Sequence, residues 1–220
     1  MSTIRRQLAA LYKDVAARGL NEGSSGNVSA RAGRGMLITP TGCTAATVTP
    51  KSLVTMGLDG TFKGRTRPSS EWEMHAAIYR AAPEAMVIVH THSDHATALA
   101  CLNQPLPAFH YAVLAFGGAE VRVAPYVTFG TAALAEAATE AIAGRTACLL
   151  ANHGMICHGR NVDGALAAAL LLETLARQYL IARAAGTPRL LSEDEMAQAR
   201  LRFRSYGQQP ERDRKNDEQD

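Results

Sequence analysis

Residues 85–92 are AMVIVHTH, a short apolar run that ends in two histidines one residue apart. The run follows Pro83 and is bounded by polar residues, which together predict a buried strand over residues 85–90. Side chains at alternate positions of an extended backbone point to the same side, so His90 and His92 can converge on one ion. The stretch therefore predicts a strand of the core and, at its carboxyl end, a candidate metal site.

Two further segments supply residues of the same chemistry. His153 follows a second apolar strand, residues 147–150, and Glu71 lies near the start of a predicted helix. A sheet can bring the carboxyl ends of two strands together, and three imidazoles with one open or carboxylate position suit a catalytic Zn²⁺. Cysteines are absent from these loops, which argues against a structural thiolate site.

Histidine spacing alone leaves a second interpretation open. An ordinary structural histidine explains an H-x-H pair about as well as a metal ligand does. The other histidines, His75, His95, His110 and His158, are assigned no ligand role, and each could be a satisfied or surface side chain. His95 lies one helical turn past His92 and could also support the site.

Three loops of small polar residues are candidates for anion binding. They contain Gly26 with Asn27, Thr41 with Gly42, and Ser69 with Ser70. The two serines precede an amphipathic run, where the free N–H groups and dipole of a helix favour phosphate. Ordinary turn and cap chemistry explains each loop alone about twice as well. The G-x-x-x-x-G-K-[ST] motif is absent, which argues against a nucleotide P-loop.

The order of the predicted elements indicates the architecture. Helices are predicted over residues 3–18, 71–82, 92–102, 131–143, 161–185 and 192–203. Strands are predicted over residues 28–31, 36–39, 54–58, 61–63, 85–90, 121–124, 147–150 and 155–157. They alternate without regular βαβ units, and several pair as hairpins. We therefore expect a single-domain α/β/α sandwich over residues 1–207, with a mostly antiparallel sheet between helices, and a frayed hydrophilic tail over 208–220.

Composition narrows the class of protein. The chain has 220 residues, 47% of them hydrophobic, and a net charge of +3. Its basic residues are scattered, so we expect no nucleic-acid partner. No continuous apolar run of about 20 residues is visible, so no membrane partner is expected. The four cysteines form no C-x-x-C pair, and the N-terminus has the pattern of an amphipathic helix and not of a signal peptide. Both observations indicate a cytoplasmic protein with reduced thiols.

Eight segments in order carry a family resemblance. They are GLNEGSSGNVSAR, MLITPTG, RPSSEWEMH, VIVHTHSDHATAL, FHYAV, APYVTFGT, LLANHGMI and RFRSYG. In sequence and spacing the chain resembles the class II aldolase/adducin family, from its first helix to about Tyr206. Adducin-like members that lost catalysis also lose metal ligands, and this sequence retains them.

The resemblance implies a role for each matching residue. His90, His92 and His153 bind one Zn²⁺ per subunit, or another divalent ion, and Glu71 approaches that ion and moves protons. Tyr111 enters from a neighbouring subunit and protonates the aldehyde oxygen. The substrate phosphate is held by Asn27, Thr41, Gly42, Ser69 and Ser70. Further residues that line the substrate are Gly26, Phe129 and Tyr206. The family forms C4 homotetramers with active sites between subunits.

The implied activity is that of a zinc-dependent aldehyde-lyase. Its substrate is a ketose 1-phosphate, L-fuculose 1-phosphate or a related sugar or 5-deoxypentose phosphate, cleaved reversibly to dihydroxyacetone phosphate and an aldehyde. Asp94, Asn152 and residues 112–118 depart from the family pattern and leave the aldehyde open. Other activities on the same scaffold are the first alternative: sugar-phosphate 4-epimerase, dehydratase or decarboxylase. A non-catalytic, adducin-like interaction module is the second.

Overall fold

The computed structural model describes residues 3–203, whose strands form one sheet. The strands are β1 (Asn27–Ala32), β2 (Gly35–Ile38), β3 (Val54–Gly57), β4 (Val87–Thr91), β5 (Val123–Ala124), β6 (Ala147–Leu150) and β7 (Gly154–Gly159). Their order across the sheet is β3-β2-β1-β4-β7-β6-β5. Every neighbouring pair is antiparallel except β5 with β6, which is parallel.

Helices cover both faces of this sheet. They are α1 (Thr3–Ala17), α2 (Trp72–Ala81), α3 (Asp94–Cys101), α4 (Ala132–Ile142), α5 (Val162–Ala185) and α6 (Glu193–Phe203). Side chains of α1, α3 and α5 share one core cluster with the sheet, and those of α2 and α4 share the other. The predicted α/β/α sandwich with a mostly antiparallel sheet is confirmed.

One local prediction was wrong, and one element was missed. Residues 61–63 form no strand of their own, and only an isolated bridge joins Met56 to Phe62. A 3₁₀ helix over Tyr111–Phe116 was not predicted, and the His110 side chain caps it by accepting a hydrogen bond from the Ala112 N–H. Such short helices carry too little periodicity to be seen in a sequence.

Burial on both faces explains why the run before His90 is continuously apolar. Val87 and Val89 of β4 belong to the core cluster under α5, whereas Ile88 belongs to the cluster under α2. A strand covered on only one face would alternate apolar and polar residues. The continuous apolar sequence of β4 is therefore explained by its position near the middle of the sheet, where helices cover both faces.

Helix α5 bears on the expectation that no segment of the chain is long and apolar enough to cross a membrane. Among residues 3–203 it is the one helix long and apolar enough, by length and composition alone, to cross a membrane. Ala165, Leu172 and Leu175 on this helix are buried in the core cluster that contains β4 and β7 side chains. Packing against the sheet accounts for that part of its apolar character.

The pairing of the central strands brings the predicted site residues to one end of the sheet. Asn27 on β1 lies opposite His90 on β4, and Thr91 lies opposite Met155 on β7. His153 occupies the turn between β6 and β7. Three separate segments of the chain therefore meet where β4 ends.

Gly154 provides a test of this arrangement. A Cβ atom at Gly154 would collide with the backbone carbonyl of Thr91, whereas one at Gly186 would meet nothing within 4 Å. We expect Gly154→Ala to lower the free energy of unfolding by about 1–3 kcal/mol, the cost typical of overpacking. Gly186→Ala is the control and should change it by less than about 0.5 kcal/mol. Urea denaturation measures both, and equal effects would contradict the predicted clash.

Candidate metal centre

Four side chains converge at the end of β4. One donor atom each from Glu71, His90, His92 and His153 lies within 4.8 Å of all the others. His90 Nε2 is 3.1 Å from Glu71 Oε2, and His153 Nε2 is 3.2 Å from Glu71 Oε1. The three imidazole rings are mutually edge-on, with every pair of ring centroids 4.9 Å apart. The structure thus brings together all four residues predicted to hold a metal.

Each of these side chains is positioned by a different piece of the fold. His90 lies within β4 and is fully buried, and His92 follows the end of that strand. His153 sits in a turn where Asn152 adopts a positive φ of 54°. Glu71 is the cap residue directly before α2, and its side chain is buried. Asparagine tolerates the left-handed conformation that such a turn requires.

A hydrogen bond fixes how the His90 ring faces the cluster. His90 Nδ1 lies 2.9 Å from the carbonyl oxygen of Met155. A carbonyl only accepts, so Nδ1 carries a proton, and Nε2 is the nitrogen that faces the cluster and offers a lone pair to a metal when the ring is neutral. Backbone support of this kind is the usual companion of a metal-binding histidine.

The polar atoms of the cluster fit a cation better than they fit one another. His90 Nε2 and His92 Nε2 are 3.0 Å apart, a contact of two potential lone pairs. Glu71 Oε1 is buried and makes no hydrogen bond within residues 3–203, although His153 is near. Three imidazoles and one carboxylate form a donor set suited to Zn²⁺ or another divalent ion. The cluster can therefore bind a metal.

Electrostatics within the cluster favour an ionised carboxylate. Burial opposes the charged form, but the adjacent His90 and His153 outweigh it, so the pKa of Glu71 lies far below its usual value. Burial also opposes the charge on His90, yet Glu71 raises the pKa of His90. Burial and the neighbouring His90 and His153 lower the pKa of His92 to about 4. His92 is therefore neutral, as a metal ligand must be, at physiological pH.

The predicted phosphate loops lie side by side next to this cluster. An isolated bridge joins Pro40 to Pro68, and the Ser69 N–H donates to the Thr39 carbonyl at 3.0 Å. This places the exposed Thr41 and Gly42 alongside Ser69 and Ser70, as anion binding requires.

The start of the neighbouring helix differs slightly from its prediction. Helix α2 begins at Trp72 with Glu71 as its cap residue, so the two serines lie just before the cap. Ser69 Oγ accepts from the Glu71 N–H at 3.3 Å, which ties the serine loop to the carboxylate.

Two residues of the first loop contact the metal cluster instead of projecting away from it. Asn27 is buried, and its amide nitrogen donates to Glu71 Oε2 at 2.9 Å. Gly26 has a φ of +66°, and a Cβ there would collide with the His90 carbonyl. Glycine is thus required where this loop crosses the end of β4.

A cleft of about 280 Å³ opens onto the cluster. Its lining residues are Ser70, Glu71, His92, Tyr126, Val127, Phe129, Asn152 and His153. Phe129 was predicted there, and its side chain is 65% exposed. Tyr126, 64% exposed, was missed. The only signal for Tyr126 in the sequence was its position close to Phe129 in the segment APYVTF. That signal is weak, because exposed tyrosines are common in loops.

Of the two predicted tyrosines, the structure describes Tyr111 only. Tyr111 is 53% exposed, stacks on His110 with ring centroids 4.6 Å apart, and lies 5.9 Å from the Phe203 ring. It does not line the cleft of its own chain in the part that the structure describes. Tyr206 falls outside the described residues.

Known proteins resemble this chain over nearly its whole length. A family model described as the Class II Aldolase and Adducin N-terminal domain matches residues 6–180. A 5-methylthioribulose-1-phosphate/5-deoxyribulose-1-phosphate aldolase from Rhodospirillum rubrum is 44% identical over 204 residues, covering 93% of this chain and 92% of the relative. An L-fuculose phosphate aldolase from Escherichia coli K12 is 40% identical over 205 residues, covering 93% and 95%. A solved structure named L-fuculose 1-phosphate aldolase has a TM-score of 0.88 at 36% identity, covering 93% and 97%.

Removal of one imidazole tests the metal centre. We expect His153→Ala to weaken binding of Zn²⁺ by more than about 100-fold, since loss of a supporting partner alone costs about 10- to 100-fold. Competition with a chromophoric chelator measures the affinity. His158→Gln is the matched control, because His158 lies 3.2 Å from the Arg145 carbonyl, outside the cluster. Equal Zn²⁺ affinity in both variants would show that His153 is no ligand.

Proposed function

Because the chain belongs to the class II aldolase and adducin family, we propose that it cleaves a ketose 1-phosphate reversibly to dihydroxyacetone phosphate and an aldehyde. The family and the general class of activity, an aldehyde-lyase, are the ones predicted from the sequence, and both are confirmed. The proposal concerns the substrate, the metal and the roles of individual residues.

One observation carries the proposal. The Glu71–His90–His92–His153 cluster faces a cleft whose rim continues into two adjoining small-residue loops. A ketose 1-phosphate needs this combination, because its phosphate and its carbonyl lie at neighbouring carbons. The hydroxyl groups of the loops, and the N–H groups not already bonded within them, would bind the phosphate while the cluster faces the reacting carbons.

Zn²⁺ is the ion we propose for this donor set. Bound there, it would act as a Lewis acid toward the carbonyl and hydroxyl oxygens of the substrate and stabilise the negative charge left on the ketone half. His90, His92 and His153 would hold the ion. Asn27, Thr41, Gly42, Ser69 and Ser70 would hold the phosphate.

Glu71 is proposed as the group that moves protons at the ketone half. Its carboxylate is buried, ionised and directed at the histidines, with a donor from Asn27 on one oxygen. A general base must be deprotonated and within reach of the proton that it takes. Phe129 and Tyr126 would form the wall beside the aldehyde half, since both line the cleft.

The names of the relatives indicate two kinds of sugar phosphate, derived from ribulose and from fuculose. The names of these relatives include 5-methylthioribulose and 5-deoxyribulose 1-phosphates and L-fuculose phosphate. We propose that this chain accepts a member of that group. No lysine lines the cleft in the described part of the chain, which agrees with a mechanism that needs no Schiff base.

The assembly we propose is a C4 homotetramer in which each site takes Tyr111 from a neighbour. Tyr111 is exposed and lies apart from the cleft of its own described chain, so it is free to enter another. There its hydroxyl would protonate the aldehyde oxygen in the condensation direction, and the resulting tyrosinate would take that proton back from the substrate hydroxyl in cleavage. We also propose that the enzyme works in the cytoplasm, and its four free cysteines suit a reducing compartment.

Product analysis tests the reaction. We expect metal-loaded protein to release dihydroxyacetone phosphate from at least one of L-fuculose 1-phosphate, ribulose 1-phosphate and 5-deoxyribulose 1-phosphate. A chelator should abolish that release, and added Zn²⁺ should restore it. A coupled dehydrogenase assay detects the product. Loss of water, loss of CO₂ or formation of an epimer, without dihydroxyacetone phosphate, would replace the aldolase by the corresponding activity on this scaffold.

Subunit mixing tests the placement of Tyr111. Glu71→Gln is expected to lower kcat by about 10²- to 10⁴-fold, as for loss of a general base, and Tyr111→Phe should also be impaired. If sites form between subunits, co-expressing the two variants should restore about one quarter of the sites, those pairing an intact Glu71 with a neighbour's intact Tyr111.

The control for this experiment pairs two residues of one cluster. Glu71→Gln co-expressed with His153→Ala should recover no activity, because both residues belong to the site of one chain. Activity no higher in the Tyr111→Phe mixture than in this control would contradict a site shared between subunits.

A further inference from the structure

A ladder of buried polar side chains runs behind Glu71, between α2 and β1. Glu71, His75 and Tyr79 recur at every fourth position along one side of α2. Asn27 and Ser29 occupy alternate positions of β1 and therefore point to the same face of the sheet. All five side chains are buried.

Hydrogen bonds cross between helix and strand at every step of the ladder. Asn27 Nδ2 lies 2.9 Å from Glu71 Oε2, and Asn27 Oδ1 lies 2.5 Å from His75 Nε2. His75 Nδ1 lies 2.7 Å from Ser29 Oγ, which lies 2.8 Å from the Tyr79 hydroxyl. The ladder therefore links the candidate catalytic carboxylate to a tyrosine two helical turns away.

The chemistry of these groups gives the ladder a single direction. An ionised Glu71 only accepts, so the Asn27 amide must turn its NH₂ toward the carboxylate and its oxygen toward His75. That oxygen requires His75 to carry its proton on Nε2. Burial lowers the pKa of His75 to about 3, so the ring is neutral and Nδ1 accepts from the Ser29 hydroxyl. Ser29 in turn accepts from Tyr79.

Every donor in the ladder thus points toward Glu71. We propose that His75 is a positioning residue of the aldol reaction, one that holds the Asn27 amide in the orientation that aims and supports the Glu71 carboxylate. This inference rests on the proposed function. Without the His75 N–H, the Asn27 amide can rotate by half a turn and present its oxygen to Glu71, which repels the carboxylate.

Paired variants of His75 separate this role from simple core packing. In His75→Gln the side-chain NH₂ occupies the place of Nε2 and still donates to Asn27, whereas His75→Leu fills space without a donor. We expect His75→Leu to lower kcat by about 10- to 100-fold with little change in KM, the size of effect typical of a supporting partner. His75→Gln should recover most of that loss. The substrate is whichever ketose 1-phosphate the product assay identifies.

A matched control removes a buried hydroxyl from the same region. Thr39 is fully buried and hydrogen-bonded to the Val28 backbone of β1, outside the ladder. Thr39→Val should lower stability and should change kcat much less than His75→Leu does. Tyr79→Phe and Ser29→Ala remove single rungs, and each should lower kcat less than His75→Leu does. They keep the inference testable if His75→Leu fails to fold.

A second measurement does not depend on activity. Long-range ¹H–¹⁵N correlation spectra of protein labelled at histidine distinguish a protonated from an unprotonated ring nitrogen. The resonances lost in His75→Gln belong to His75. We expect a protonated Nε2 and an unprotonated, hydrogen-bonded Nδ1, and a shift of the Nδ1 resonance in Ser29→Ala.

The outcomes separate the two proposals. An Nδ1–H tautomer, or equal kcat values for His75→Gln and His75→Leu, would overturn the role of His75 even in an active aldolase. If the wild-type protein releases no dihydroxyacetone phosphate, the proposed function fails. The ¹⁵N spectra and chelator competition for Zn²⁺ then still test the ladder, which predicts about 10- to 100-fold weaker Zn²⁺ binding in His75→Leu.

Discussion

The pairing of β4 with β1 on one side and β7 on the other is the constraint on which the site depends. The register sets Asn27 opposite His90, and β7 offers the Met155 carbonyl to His90 Nδ1. A slip of one residue would turn every side chain of β4 to the other face. Val87 and Ile88 are buried in opposite apolar clusters, and a slip would move the fully buried His90 side chain from the polar site into the apolar cluster under α5. Ordinary apolar packing thereby fixes the geometry of a polar site.

Concentrating polar groups at this point opposes folding. Glu71 and His90 are buried, and one carboxylate oxygen has no hydrogen bond within the described chain. Buried groups left partly unsatisfied cost stability. A cation that binds only the folded chain offsets this loss of stability, because its ligands are not assembled in the unfolded state. The buried, partly unsatisfied polar groups therefore both lower the stability of the metal-free protein and give the cluster its affinity for a metal.

Some of this site could be predicted from the sequence, and the limit has physical causes. The H-x-H pair at a strand end was visible because strand geometry is local. The distance from Glu71 to that pair was not, because it depends on how α2 packs over β1 and β4. Small-residue loops were visible as turns, but the backbone contacts that join the second and third loops, between residues 39–41 and 67–69, depend on the tertiary fold. Tyr126 was missed because exposure and cleft lining are tertiary properties.

His75 is a residue whose proposed role could not be recognised from the sequence alone. An isolated histidine on a helix is usually a satisfied core residue, and the sequence analysis assigned it no function. Its four-residue spacing from Glu71 and Tyr79 becomes informative only beside Asn27 and Ser29 on β1. An apolar contact between α2 and β1 could be equally stable, since buried polar networks seldom add stability over well-packed apolar groups. It could not orient an amide, and orientation is what a carboxylate directed at a metal site requires.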